Sequence, residues 1–188
     1  MNTREQRFSS NRRIIAAILT ILGLAGMTAF LIWGTSTGFA YRQGFLGTNA
    51  PYFADFNLVC QSALLLGLSI GYVLARLKKI YAHQYNQTAW VLLHVLLIII
   101  FMDARFRSLV IPGIAVSFNT AFLILPTIHA VIGALAAILG LFLILRMNDL
   151  VPHFLRISWW KGLMRVTLVS YWITIGLGLA TYFVWYGT

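Results

Sequence analysis

The side chains of this chain that could do chemistry are four histidines, one cysteine and a short polar run at Asp55 to Ser62. The histidines divide by their depth in apolar sequence. His129 lies within NTAFLILPTIHAVIGALAAILGLFLILR, about ten residues, or roughly 15 Å, from its amino-terminal end. His94 lies about 10 Å into its own apolar segment, and His83 and His153 stand outside such segments beside basic residues. A polar group at mid-membrane depth has no water to satisfy it, so it is a functional-site candidate by default. On neighbouring antiparallel helices His94 and His129 would differ in depth by only about 5 Å, near enough to hold the two axial positions of one haem b. Ala130, Gly133, Ala134 and Ala137 would give a flat macrocycle room. The same residues have a plainer reading: small side chains let membrane helices approach, and a midplane histidine bonds a carbonyl across the interface.

Copper is a second candidate, because copper(I) favours thiolate, thioether and imidazole ligands, here Cys60, Met27 and His129. No Cys-x-x-Cys, Met-x-x-Met or His-x-His spacing supports it. In the polar run, helical spacing puts Asp55 and Ser62 on one face and Asn57 and Gln61 on another. A quinone or a haem propionate could use these groups, with Arg105 or Arg107 as counter-charge; alternatively they bond one another and the glycine-rich segment before them. No paired carboxylates, Ser-His-Asp set, phosphate loop or zinc signature is present, so the chain does not read as an enzyme.

The elements that must position these groups follow from composition. Of 188 residues, 60% are hydrophobic and 10% charged, and the mean hydropathy is +0.84, which describes an all-α integral membrane protein. Five apolar segments emerge, at Ile14 to Gly34, Phe56 to Ala75, Thr88 to Met102, Thr120 to Leu145 and Leu163 to Trp185. Each is expected to be a helix, because only a helix satisfies its own backbone in lipid. The reading is therefore a basic cytoplasmic tail over 1–13 and a single five-span transmembrane domain over 14–188. The amino terminus is basic before an apolar run, as in a signal peptide, but no clear cleavage site follows, so a retained first span is expected.

A net charge of +10 points to anionic lipid head groups rather than nucleic acid, since the charges sit between apolar spans. Of the 14 Lys and Arg, eleven fall on one side, in the amino terminus, at Arg76 to Lys79 and from Arg146 to Arg165; Arg42, Arg105 and Arg107 fall on the other. By the positive-inside rule the amino terminus is cytoplasmic and the carboxyl terminus outside. The outer connection GTSTGFAYRQGFLGTNAPYFAD reads as a turn-rich cap over the helix ends. DARFRSLVIPGIAVSF, broken by Pro112 and Gly113, reads as an interfacial or re-entrant loop. Pro126 cannot donate to the carbonyl of Phe122, which predicts a kink and a freed carbonyl beside His129. A shift of 70 residues superposes Arg76 on Arg146, His83 on His153 and Trp90 on Trp160, the trace expected of a helix-pair duplication.

Four stretches carry a family resemblance: GFLGTNAPYFADFNL, HQYNQTAWVLL, LPTIHAVIGALAAILGL and MRVTLVSYWITIGLGLATYFVWY. Over Gly44 to Tyr186 the chain resembles the small multi-span bacterial proteins catalogued as domain of unknown function 420. That resemblance implies a bacterial cytoplasmic membrane, aerobic respiration, and an accessory or assembly role for a haem-copper cytochrome oxidase, whose subunit would be the partner. The role could include handling haem or copper through a buried histidine. The positions it points to are His83 with Gln87 and Thr88, His129 with Ala130, and Arg165 with Thr167. At His94 the family more often has an amide. Two other roles stay open: a haem b or quinone-linked electron carrier, and a structural accessory subunit.

Overall fold

A computed structural model describes residues 3–102, 105–116, 120–148 and 150–187; the side chains of 3–17, 19–20 and 115–116 are not described. Among the described residues every regular element is helical. The main helices are α1 (Thr3–Ser36), α2 (Tyr52–Arg76), α3 (Ile80–Leu97), α4 (Ile111–Val116), α5 (Ala121–Met147) and α6 (Trp160–Tyr186). Among the described residues, four helical segments are long and apolar enough to cross a membrane: Tyr52–Arg76, Ile80–Ile114, Ala121–Met147 and Trp160–Tyr186. Four of the five apolar segments expected from the sequence coincide with these helices to within a few residues at most ends. The start of the third lies earlier, because polar residues such as Tyr81 to Gln87 remain compatible with helix. The first segment, Ile14 to Gly34, lies in α1, where only Ile21–Ser36 forms a shorter apolar stretch among the described residues.

Two expectations change. The helix of α1 reaches back to Thr3 through the basic tail, whose side chains lie outside the described residues. The connection DARFRSLVIPGIAVSF is helical where described: a π-turn at Ile98–Met102 extends α3 toward it, another spans Phe106–Val110, and α4 follows. Pro112 is the second residue of α4, which continues directly from the preceding π-turn through Ile111, whose N–H still donates to Phe106 O. Pro112 therefore interrupts the backbone bonding inside a helix rather than opening one. Asp103, Ala104 and Ser117 to Asn119 of that connection lie outside the described residues.

α2, α3, α5 and α6 close into a ring in which α2 packs on α3 and α6, and α5 packs on α3 and α6. Small residues set the seams. Gly67 and Gly71, one turn apart on α2, let α3 come so near that a Cβ on either would collide with Trp90, Asn86 or Gln87. The exposed α2 carbonyls then become acceptors. Asn86 Nδ2 donates to Gly67 O at 2.7 Å, His83 Nδ1 to Gly71 O at 2.7 Å, and Gln87 Nε2 to Leu68 O at 3.2 Å. Each such bond between membrane helices is worth about 0.6 kcal/mol on average, so the ladder aligns the pair more than it stabilises it. α1 lies outside the ring, where Phe30 meets Phe53 and Phe56 of α2, and Phe101 meets Phe53.

The expected cap is present over residues 37–51, and Asp55 anchors it. Asp55 is 0% exposed, accepts from Leu46 N at 2.6 Å and from the Tyr182 hydroxyl, and lies in the first turn of α2. The Thr48 hydroxyl completes the chain by donating to Tyr182 at 2.6 Å. One buried carboxylate thus ties the cap, α2 and α6 together. Gly38 and Gly47, at φ of 73° and 76°, make the left-handed turns this path requires.

Candidate functional site

Two cavities open into the ring, at different levels. The first, about 300 Å³, is bounded by the beginning of α2, the π-turn after α3, the beginning of α5 and the end of α6. The second, about 600 Å³, is bounded by the opposite ends of the same four helices. Between them lies a packed layer containing Leu64, His94 and Ala136, all 0% exposed, none of which lines either cavity.

His129 lines the first cavity, as do Asn57, Gln61 and Arg105. The placement of His129 depends on α6: Gly178 leaves space for the ring, 3.0 Å from where a Cβ would stand, and His129 Nδ1–H donates to the carbonyl of Thr174 at 2.8 Å. A carbonyl can only accept, so the proton is on Nδ1 and the lone pair is on Nε2. This is the arrangement by which a second bond orients a histidine that acts through its other nitrogen. Facing it from α2 are Gln61 and Asn57. Both polar atoms of the Gln61 amide and Asn57 Oδ1 are buried without a hydrogen-bond partner in the protein, although polar groups in such surroundings are ordinarily paired. The cavity therefore offers one fixed acceptor, an amide able to donate and accept, and a nearby guanidinium inside an aromatic and aliphatic wall.

Pro126 lies inside α5. The Phe122 carbonyl it leaves free accepts from Trp185 Nε1 of α6 at 3.0 Å. The carbonyl is thereby satisfied, and Pro126, His129 and Trp185 line the same cavity. Of the polar run, Asp55 serves the cap, Ser62 bonds back to Leu58 O at 3.0 Å, and Asn57 and Gln61 remain for the cavity. Arg105 lines it; Arg107 does not.

His94 is placed differently from His129. Its ring meets Tyr171 edge-on at 4.9 Å, and neither ring nitrogen nor the Tyr171 hydroxyl has a partner. A haem held by His94 and His129 would need open space against both rings. His94 has none, so these residues do not fit a bis-histidine haem. Met27 and Cys60 also line neither cavity, so the copper set proposed from residue type does not converge with His129. Among the described residues no group of three or more His, Cys, Asp or Glu converges as a metal site.

His83, Gln87 and Arg165 line the second cavity, well over 10 Å along the helices from His129 by helical rise. The residues singled out by resemblance thus belong to two separate places. His83 opens α3, whereas His153 sits in a 3-10 turn between α5 and α6; Trp90 is inside α3, whereas Trp160 begins α6. Sequence reasoning passed over Tyr171 and treated Arg146, Arg156 and Lys161 only as topology markers, although all four line the second cavity. The signal available was their approach to one level from three elements, which needs the helix pairing to be seen.

No protein-family model, no curated protein sequence and no solved structure matches this chain.

Proposed function

We propose that this chain is a five-span protein of a bacterial cytoplasmic membrane, amino terminus inside and carboxyl terminus outside, that serves aerobic respiration as an accessory or assembly factor of a haem-copper cytochrome oxidase. Its working site is the cavity at His129. The observation that carries this choice of site is the orientation of His129 by Thr174 O, opposite buried amide atoms of Gln61 and Asn57 that have no partner. Unlike His94, which is also unpaired but sits in a packed layer, these groups line a cavity that a ligand could enter. The oxidase assignment rests on the resemblance to domain of unknown function 420, and the orientation on the eleven-to-three division of Lys and Arg. Arg76 and Arg146, each in the last turn of the first helix of its pair, are what a duplicated helix pair would leave, whereas His83 and His153, and Trp90 and Trp160, fall at different positions.

One further observation favours a second reading, a quinone-linked site. A quinol hydroxyl could donate to His129 Nε2 while Gln61 Nε2 donates to the opposite oxygen, and the aromatic wall would hold the ring. The deciding experiment is the visible spectrum of detergent-purified protein, oxidised and then reduced, with quinone extraction on the same sample. The assembly-factor reading expects a colourless protein without stoichiometric quinone. Stoichiometric quinone establishes the second reading, and a Soret band with sharp reduced alpha and beta bands overturns both.

A further inference from the structure

The second cavity is not used by the function proposed above, and its chemistry is distinct. Five cations line it: Arg76 from α2, Arg146 from α5, Arg156 from the connection after α5, and Lys161 and Arg165 from α6. No Asp or Glu is among its described lining residues. Its deeper wall is aliphatic, formed in part by Leu68, Val91 and Ile144. Cations at the rim over an apolar wall between helices match an anionic head group with its acyl chains.

Two buried atoms sharpen the match. Arg146 Nη1 has no hydrogen-bond partner; its guanidinium lies 5.7 Å from the centre of the Trp160 ring, with Lys161 Nζ 5.8 Å from the same ring. A planar guanidinium with a spare donor suits a phosphate oxygen. His83 Nε2 is likewise buried without a partner, and because Nδ1–H is committed to Gly71 O at 2.7 Å it is an acceptor. An acceptor beside cations calls for a hydroxyl as well as a phosphate.

We infer that this cavity binds the head group of an anionic, hydroxyl-bearing phospholipid, phosphatidylglycerol being the simplest example. Arg146, Lys161 and Arg165 hold the phosphate, and His83 Nε2 accepts from a glycerol hydroxyl. The cavity lies at the end of the ring that carries Arg76, Lys78 and Lys79, so the lipid comes from the leaflet on the positive side. Free phosphate shares the phosphate chemistry but lacks the hydroxyl and the chains.

The test is native mass spectrometry of the full chain in neutral detergent supplied with phosphatidylglycerol or phosphatidylcholine. Wild type is expected to retain phosphatidylglycerol over phosphatidylcholine by about tenfold. The R146Q/R165Q double variant is expected to lose that preference, and R42Q, at the opposite end, to keep it. A second measurement needs no variant: arginine- and lysine-directed labelling of wild type, mapped to Arg146 and Lys161, with phosphatidylglycerol or inorganic phosphate as protectant. Protection by the lipid alone supports the inference. Equal protection by inorganic phosphate, equal retention of the two lipids, or an unchanged preference in a folded R146Q/R165Q variant overturns it.

Discussion

His129 on α5 and Thr174 on α6 are joined by a 2.8 Å hydrogen bond from Nδ1–H to the backbone carbonyl. The bond fixes the ring's tautomer as well as its direction. His83 makes the same kind of bond to Gly71 across the other helix pair, so each pair carries a histidine whose Nε2 is left as an acceptor at a cavity. Nitrogen-15 NMR of ring-labelled protein is expected to show the Nδ1–H tautomer at His129. Observation of the Nε2–H tautomer at His129 would remove the chemical basis given to the first cavity.

The bond from Trp185 to the Phe122 carbonyl exists because Pro126 cannot supply a donor. Trp185→Phe is therefore expected to lower stability by about 1 kcal/mol by leaving the Phe122 carbonyl without a donor. In a Pro126→Ala background the restored backbone N–H reaches that carbonyl, and Trp185→Phe should cost less. The double-mutant cycle, followed by unfolding in detergent, reads this as a coupling on the order of 0.5–1 kcal/mol; additive effects would show that the two residues act separately.

Asp55 is held by Leu46 N and the Tyr182 hydroxyl. Tyr182→Phe removes one donor from a fully buried carboxylate, which costs about 1–3 kcal/mol. Because Thr48 then also loses the acceptor that ties it to α6, keeping only its bond from Ala50 N, the cap over residues 37–51 should open first. Limited proteolysis is expected to cut the Tyr182→Phe protein within 37–51 while the ring helices remain protected.

Much of the helical architecture was legible because a membrane span has a strong one-dimensional signature: length and hydropathy located α2, α3, α5 and α6 to within a few residues except at the start of α3. The cap was legible from its Gly and Thr content. Pro126 predicted a free carbonyl, but not that Trp185, far along the chain on another helix, would supply the donor. The site was legible only in part. Depth along a helix can be counted, which put His94 and His129 at similar levels; rotation about the helix axis cannot, so the sequence did not reveal that His94 turns into a packed layer against Tyr171 while His129 turns toward a cavity. Gln61 and Asn57 announced themselves as polar residues in an apolar segment, yet only the packing of α2 within the ring separates them from Asp55, which serves the cap.

The central claim is that the His129 cavity does the protein's work, and His129→Phe tests it most directly. Phenylalanine removes the acceptor and fills part of the cavity, at a structural cost of about 1 kcal/mol for the lost interhelical bond. The measurement is haem-copper oxidase activity in membranes of cells carrying His129→Phe as their only copy, normalised to the amount of folded variant extracted from the same membranes. The account predicts variant protein near the wild-type level with oxidase activity reduced to a deletion strain's residual activity. Full oxidase activity with His129→Phe folded and present would contradict it, and would make the chain a passive bundle whose histidines only pack.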